Sequence, residues 1–473
     1  MFLSNRSKQT LNFGLQPADA WLWILGFASL TAVCLLLRLG QVVNYGFPAG
    51  AFLVSIYLYR KYPILYFSFA LWIWFLCSLV RRMADFQSSW TNPSPILLAP
   101  LLVSFVSIIG LSQNFLKLTR NGGLPFILCA VSVIYGLFIG LINKALVPTV
   151  TASLGWFTPI LLGLHLFLHW RDYPLFQKNI CRTFIWGTFI VGSYGIYQYW
   201  VAPEWDKLWM TNVIKELGFN TIGNPEPLEI RVFSTLHGPQ ALGGMLMPGL
   251  ILLLTNKSSL QVPATVSGYL SLLLSSARSA WVSWFVALLT YASSLTLRLR
   301  FRLILSFLIG ILFLVPLITI EPFSTAITPR LETLSDVKED GSVQDRAGTF
   351  NGFLDQALFS VVGEGLGDSA IGNDLGILVL FLSLGWIGSI PYLIGILLAF
   401  VGLFQNPFIK SDAFASAALA ISLGSFSQIT TNVATSGIIG VTVWVFLGVG
   451  MAATKYHKNQ NNRILHQYLD LSG

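Results

Sequence analysis

Apolar residues along this chain gather in long unbroken stretches, and polar residues fall between the stretches rather than alternating with apolar ones. Such runs predict helices; the strands of a membrane barrel would need a strict two-residue alternation. Crossing the roughly 30 Å of a bilayer's hydrocarbon takes about 20 apolar residues in a helix. Stretches of that order cover approximately 20–38, 42–59, 62–80, 95–113, 124–142, 150–170, 181–201, 236–256, 260–277, 279–297, 303–320, 375–405, 412–430 and 433–453. The fold class this predicts is all-α, a polytopic membrane helix bundle of about 12–14 transmembrane helices. Two stretches leave alternatives open. The run 375–405 is long and holds Gly385, Gly388, Pro391 and Gly395, so it is expected to kink or break, and 145–170, with Pro148 and Pro159, reads either as a span or as partly re-entrant.

Two connections are too long to be turns, 202–235 and 321–373. Structureless loops of that length are uncommon and usually functional. Within the second, Ser342-Val343-Gln344-Asp345 reads as a capping box, followed by Ala347, Phe350, Leu354, Leu358 and Val361 at helical spacing. An amphipathic helix is therefore expected over 343–362, lying on the membrane surface or packed on the bundle. The chain then divides into a tail (1–19), N-terminal spans (20–201), a loop (202–235), further spans (236–320), a large loop (321–373), C-terminal spans (374–453) and a second tail (454–473). No internal repeat is visible.

Composition supports the bundle. Hydrophobic residues make up 54% of the 473 and charged residues only 10%, against roughly 25% charged for a soluble domain. The net charge of +8 does not point to nucleic acid, because the basic residues lie in short clusters between apolar runs. With the N-terminus inside, seventeen basic residues, from Arg6 to Arg463, fall in inner loops and tails. Short outer loops carry five: Arg38, Arg81, Arg82, Lys144 and Arg278. That asymmetry predicts both termini in the cytoplasm and both long connections outside. The polar first twenty residues show no cleavable signal, so the first helix is expected to act as an uncleaved insertion signal. Four cysteines form no metal or disulfide framework.

Candidate chemistry is sparse. There is no Walker loop, no HExxH and no metal-spaced acid cluster within a span. In the predicted topology no acid sits in mid-membrane, where a coupled transporter usually holds its ion. The unusual residues are three outer arginines. Arg278 lies at the far turn of two spans in SLLLSSARSAWVSWF, Arg231 lies where the first long loop returns in EIRVFSTLHGPQALGG, and Arg346 opens the amphipathic helix. Three guanidinium forks near one interface suit a diphosphate; taken singly, each also reads as a residue snorkelling to lipid headgroups. His237 is a packing or capping residue or a base, and Asp374, in IGNDLGILVLFLSLGWIG, is a helix N-cap or a base.

At these residues, from about Arg231 to Gly388, the chain resembles the O-antigen ligase and polymerase superfamily of bacterial membrane glycosyltransferases. RVFSTLHGPQALGG resembles the family's Arg…His-Pro-Asn stretch. A Ser-Arg-type turn, SSARSAW, follows, then a large loop bearing Arg346, then Gly363-Glu364-Gly365-Leu366-Gly367, and finally Asp374-Leu375 ahead of Gly385-Trp386-Ile387-Gly388. Ligases of the family typically have His followed by Asn, Ser or Gln where this chain has Asp374-Leu375; polymerases of the family often have Asp. Residues 1–200 share only hydropathy with it.

The resemblance implies a multi-helix membrane glycosyltransferase (GT-C-like) architecture in a bacterial cytoplasmic membrane, acting on its outer face. The donor would be a saccharide on a polyprenyl diphosphate, held by Arg231, Arg278 and Arg346. The acceptor would be a glycan or a lipid. No cofactor or metal is called for. Asp374 is the first candidate base and His237 the second, with Gly365, Gly367, Gly385 and Gly388 as structural residues near the site. Polymerisation of lipid-linked repeat units is the leading expectation. A ligase moving a finished glycan is the alternative, and a flippase is the alternative from another class. For topology, a cysteine introduced at Ser335 is expected to react with an impermeant thiol reagent in intact cells stripped of outer barriers. Labelling only after lysis would put that loop on the inside.

Overall fold

Backbone amides in lipid have no water to bond, so each apolar run closes its hydrogen bonds on itself as a helix. The computed structural model describes residues 17–218, 222–255, 258–295, 300–301, 321, 341–367 and 375–472. Among these residues there is no strand, only an isolated bridge between Gly223 and Ile230. The helices are α1 (Ala18–Leu36), α2 (Gly40–Lys61), α3 (Pro63–Gln87), α4 (Ala99–Phe105), α5 (Ile108–Arg120), α6 (Leu124–Asn143), α7 (Leu146–Leu168) and α8 (Tyr173–Val201). They continue with α9 (Glu204–Leu217), α10 (Pro239–Thr255), α11 (Gln261–Leu274), α12 (Arg278–Ser294), α13 (Gly341–Phe359), α14 (Gly376–Phe404), α15 (Ala413–Phe426) and α16 (Gly437–Ser472). Nine helical stretches among the described residues are long and apolar enough to cross a membrane. The protein is an all-α polytopic membrane helix bundle. Helices α8, α10, α11 and α12 occupy four more of the predicted stretches, and 303–320 lies outside the described residues.

Four details depart from the hydropathy reading. α7 runs unbroken through Pro159, so no re-entrant segment forms there. α3 continues to Gln87 and takes Arg81 and Arg82, expected in a loop, into a buried helix end. The connection 202–235 contains the helix α9. Residues beyond 453 extend α16 rather than forming a separate tail. A helix is present there as α13, ending at Phe359, and packs on the bundle through Phe350, Phe353 and the buried Ala357, while Leu358 and Val361 of the expected stripe are exposed.

The centre of the bundle is α16 packed on α7, and small residues let them approach. A Cβ on Gly448 would overlap the Gly163 backbone, and one on Gly163 would overlap the Trp444 carbonyl. That is how helices pack where lipid removes the hydrophobic drive between them. Trp444 is fully buried in that seam, whereas Leu22, Leu36, Phe138 and Ile142 are exposed on the outside, as a lipid-facing surface requires.

α14 breaks where the sequence places Gly385, whose backbone is left-handed (φ 58°). The break frees carbonyls, and a second chain segment takes them. Residues 360–367 run alongside: Glu364 N donates to Leu382 O (2.8 Å), Gly365 N to Ser383 O (2.9 Å), and Leu366 N to Gly136 O on α6 (2.9 Å). Trp386 N and Ile387 N donate back to Ser360 O (3.1 Å) and Val361 O (3.2 Å). Gly365, at φ 87°, lies so close to α6 that a Cβ would overlap the Gly140 nitrogen. Gly365→Ala is therefore expected to cost on the order of 3 kcal/mol and to lower the yield of folded protein in thermal size-exclusion assays. Gly402→Ala, with nothing within 4 Å of the added methyl, should leave melting unchanged.

Candidate functional site

The segment 231–238, where the first long connection returns to the bundle, has no regular structure, and Ser234 is left-handed (φ 54°). Its backbone groups are satisfied by side chains. The Gln198 Oε1 accepts from Phe233 N (3.0 Å) and Ser234 N (2.8 Å). Arg82 donates to the Ser234 carbonyl and to the Leu236 carbonyl (2.6 Å). The Thr235 hydroxyl donates to Phe75 O on α3 (2.6 Å). The guanidinium of Arg82 is paired with Asp206 of α9 (2.7 Å), both side chains 0% exposed. It lies over the ring of Phe233 at 4.8 Å. Asp206 also accepts from Tyr194 Oη (3.0 Å) and Gln198 Nε2 (2.8 Å). A buried ion pair is tolerable only when its remaining hydrogen-bonding groups are met; here both terminal nitrogens of Arg82 and the second oxygen of Asp206 have partners.

This clamp delivers two of the sequence-predicted residues. Arg231 is half-buried and donates through Nη2 to the Ser276 carbonyl (3.0 Å). Val232 N bonds Leu274 O (3.2 Å). Ser276, itself left-handed (φ 51°), belongs to the turn from which α12 starts at Arg278. The structure thus joins the Arg231 segment to the Arg278 turn. His237 lies six residues on, outside the helices and accessible. The protein around it lowers its pKa below the usual 6.5, and the positive charges of Arg82 and Arg81 add to the effect. Both effects favour the neutral imidazole.

One residue into α12, Ser279 Oγ accepts from Asn432 Nδ2 (3.2 Å). Asn432 also bonds Gln428 Oε1 (3.3 Å), and Gln428 Nε2 bonds Ser283 Oγ (3.1 Å). Gly376, at the start of α14, presses on the Asn432 carbonyl so closely that a Cβ would overlap it. The beginning of α14 is therefore tied to the arginine turn through Asn432. Asp374, two residues earlier, lies outside the described residues. Arg346 belongs to α13, but its side chain lies outside them also. The glycines Gly365, Gly385 and Gly388 are gathered further along α14, in its seam with α6, where Gly388 packs on Tyr135. There Gly367 touches Lys144, which pairs with Glu364 (3.4 Å). Among the described residues no group of three His, Cys, Asp or Glu side chains is placed to hold a metal ion.

Sequence reasoning missed Arg82, Asp206, Gln198 and Asn432. A signal for the first was present: two adjacent arginines on the side that the charge rule disfavours. Asn432 sits in a polar patch, SQITTN, between two apolar runs. Compared with known proteins, the chain matches no family model and no curated protein.

Arg82→Ala leaves Asp206 buried without its cation and should cost about 3–5 kcal/mol. The double change Arg82→Met with Asp206→Leu should recover much of that in thermal melts. Melting of the single variant within error of the parent would show that the clamp holds nothing.

Proposed function

We propose that the protein is a glycosyltransferase that extends or transfers lipid-linked saccharides at the end of the bundle carrying Arg231 and Arg278, on the outer face of a bacterial cytoplasmic membrane with both termini inside. One observation carries the reading. Arg231 donates to the carbonyl of Ser276 in the turn that starts the Arg278 helix, so two arginines far apart in sequence share one neighbourhood. Through Ser279 and Asn432 that neighbourhood reaches the start of α14, the helix that follows Asp374.

In the proposed step an acceptor hydroxyl oxygen attacks the anomeric carbon of a sugar on polyprenyl diphosphate. The new glycosidic bond forms as the bond from that carbon to the diphosphate oxygen breaks, and the electron pair leaves with the diphosphate. Arg231, Arg278 and Arg346 hold the departing charge, which is greater in the transition state than in the bound donor, so they lower the barrier rather than merely tighten binding. The acceptor's proton passes to Asp374 or His237. The neutral imidazole of His237 is able to take it. Nothing in this chemistry requires a metal, since the arginines carry the charge. The polyprenyl tail would lie among the helices.

Protein reconstituted with a polyprenyl-diphosphate-linked repeat unit should make a ladder of longer glycans. Arg231→Ala and Arg278→Ala should each slow transfer by on the order of a hundredfold or more, and lysine should restore only part of it. Comparing Asp374→Asn with His237→Gln identifies the base. A single block moved to another lipid makes the protein a ligase. Movement of the lipid across the bilayer with no new glycosidic bond makes it a transporter and sinks the reading.

A further inference from the structure

At the other end of the bundle, where α2 finishes and α3 begins, lies a cavity of about 450 Å³ between α2, α5 and α7. Its polar lining is Tyr59 and Arg60 from α2, Gln113 and Asn114 from α5, and His169 just beyond α7. Each of these side chains carries an N–H or O–H donor, and no carboxylate lines the cavity. Arg60 is exposed and takes part in none of the ion pairs among the described residues. The Asn114 amide is oriented by donating to Gly110 O (3.1 Å). His169 Nδ1 lies 2.8 Å from the His165 carbonyl, which can only accept. The ring hydrogen is therefore on Nδ1.

The helix beside the cavity supplies an independent observation. α5 buries Gly110, Leu111 and Leu118 on one face. Opposite that face it exposes Leu116 (81%) beside Arg120, with Phe115 and Lys117 exposed at its flanks. Large apolar side chains exposed beside basic ones are what a helix lying in a lipid headgroup layer presents. Lys61 stands at the same level, at the end of α2. Donors on every side, an arginine and no acid select an anion. With no carboxylate to pair an amine, a zwitterionic headgroup gains nothing there over an anionic one.

We propose that this cavity binds a phosphate-bearing anion, the phosphodiester of an anionic phospholipid headgroup, with α5 lying in the headgroup layer beside it. Arg60 supplies the charge-assisted hydrogen bonds, and the Gln113 amide supplies a neighbouring donor. A free phosphate ion has the same chemistry, and the test separates the two.

Purified protein in detergent would be offered phosphatidylglycerol, phosphatidylethanolamine or inorganic phosphate, and its bound adducts read by native mass spectrometry. Phosphatidylglycerol should be retained in preference to phosphatidylethanolamine. Arg60→Ala should weaken that retention about tenfold, Arg60→Lys should restore part of it, and Lys410→Ala, outside both the lining and α5, should change little. Gln113→Ala, at an exposed position that folding does not depend on, should weaken retention by a smaller factor and serves if Arg60→Ala fails to fold. Inorganic phosphate retained in an Arg60-dependent way, with no preference among lipids, keeps the anion site and names the free ion as its occupant. Equal retention of the two lipids with no phosphate bound, or retention unaffected by Arg60→Ala and Gln113→Ala, overturns the proposal.

Discussion

A backbone amide or carbonyl without a partner has no place inside a bilayer, and this single requirement shapes the whole molecule. Helices meet it wherever the chain is apolar and continuous. Among the described residues, two informative places are stretches that are not helical yet pack among helices, and each is satisfied by a different device. Residues 360–367 bond the carbonyls and amides that the break at Gly385 exposes. Residues 233–236 bond the side chains of Gln198, Arg82 and Thr235. The first device uses backbone against backbone, so it needs glycine to bring the strands close. The second uses side chains, so it needs a buried arginine and a buried acid to neutralise it.

That second device explains why residues from the first half of the chain matter to a candidate site whose recognisable motifs all lie later in the chain. Arg82 lies near the end of α3 and Asp206 in the first turn of α9; Arg82 bonds the segment that carries Arg231 and His237, and Asp206 pairs with Arg82. Non-helical backbone held at several points has little freedom to move. Groups that must meet a reacting atom benefit from such rigidity, because stabilisation in a transition state depends on donors already in place. The ion pair contributes position rather than net stability, since a buried pair scarcely repays its own desolvation.

Hydropathy made nearly all of the helices legible, because lipid imposes the same length and composition on each. The break in α14 was legible too, from Gly385. The ends of helices were harder. Arg81 and Arg82 read as loop residues because a charge inside an apolar helix is costly; their partners, Asp85 one turn on in the same helix and Asp206 across in α9, make that position tolerable. Likewise α9 was invisible to hydropathy, being a short helix with Glu204, Asp206 and Lys207 in its first turn. At the site, Arg231 and Arg278 stood out because each opposes the topology signal, whereas Gln198 and Asn432, uncharged, gave no such contrast. Pairwise convergence is a property of the fold, and a linear pattern carries no record of it.

The state of His237 bears on how the proposed transfer divides its work. Its surroundings and the neighbouring arginines favour the uncharged imidazole, which has two opposed effects. It makes the unprotonated ring available throughout the neutral range, and it makes that ring a weaker base than an ordinary histidine. Weak basicity matters least when the acceptor's proton leaves late, after the bond to the diphosphate has largely broken. Arginines holding the departing diphosphate favour that order, since they stabilise charge on the leaving group before the acceptor oxygen has lost its proton. The same positive field that suits a diphosphate therefore also makes a neutral, weakly basic partner sufficient. Substrate binding and proton transfer at this end of the bundle would then answer to one electrostatic arrangement rather than two.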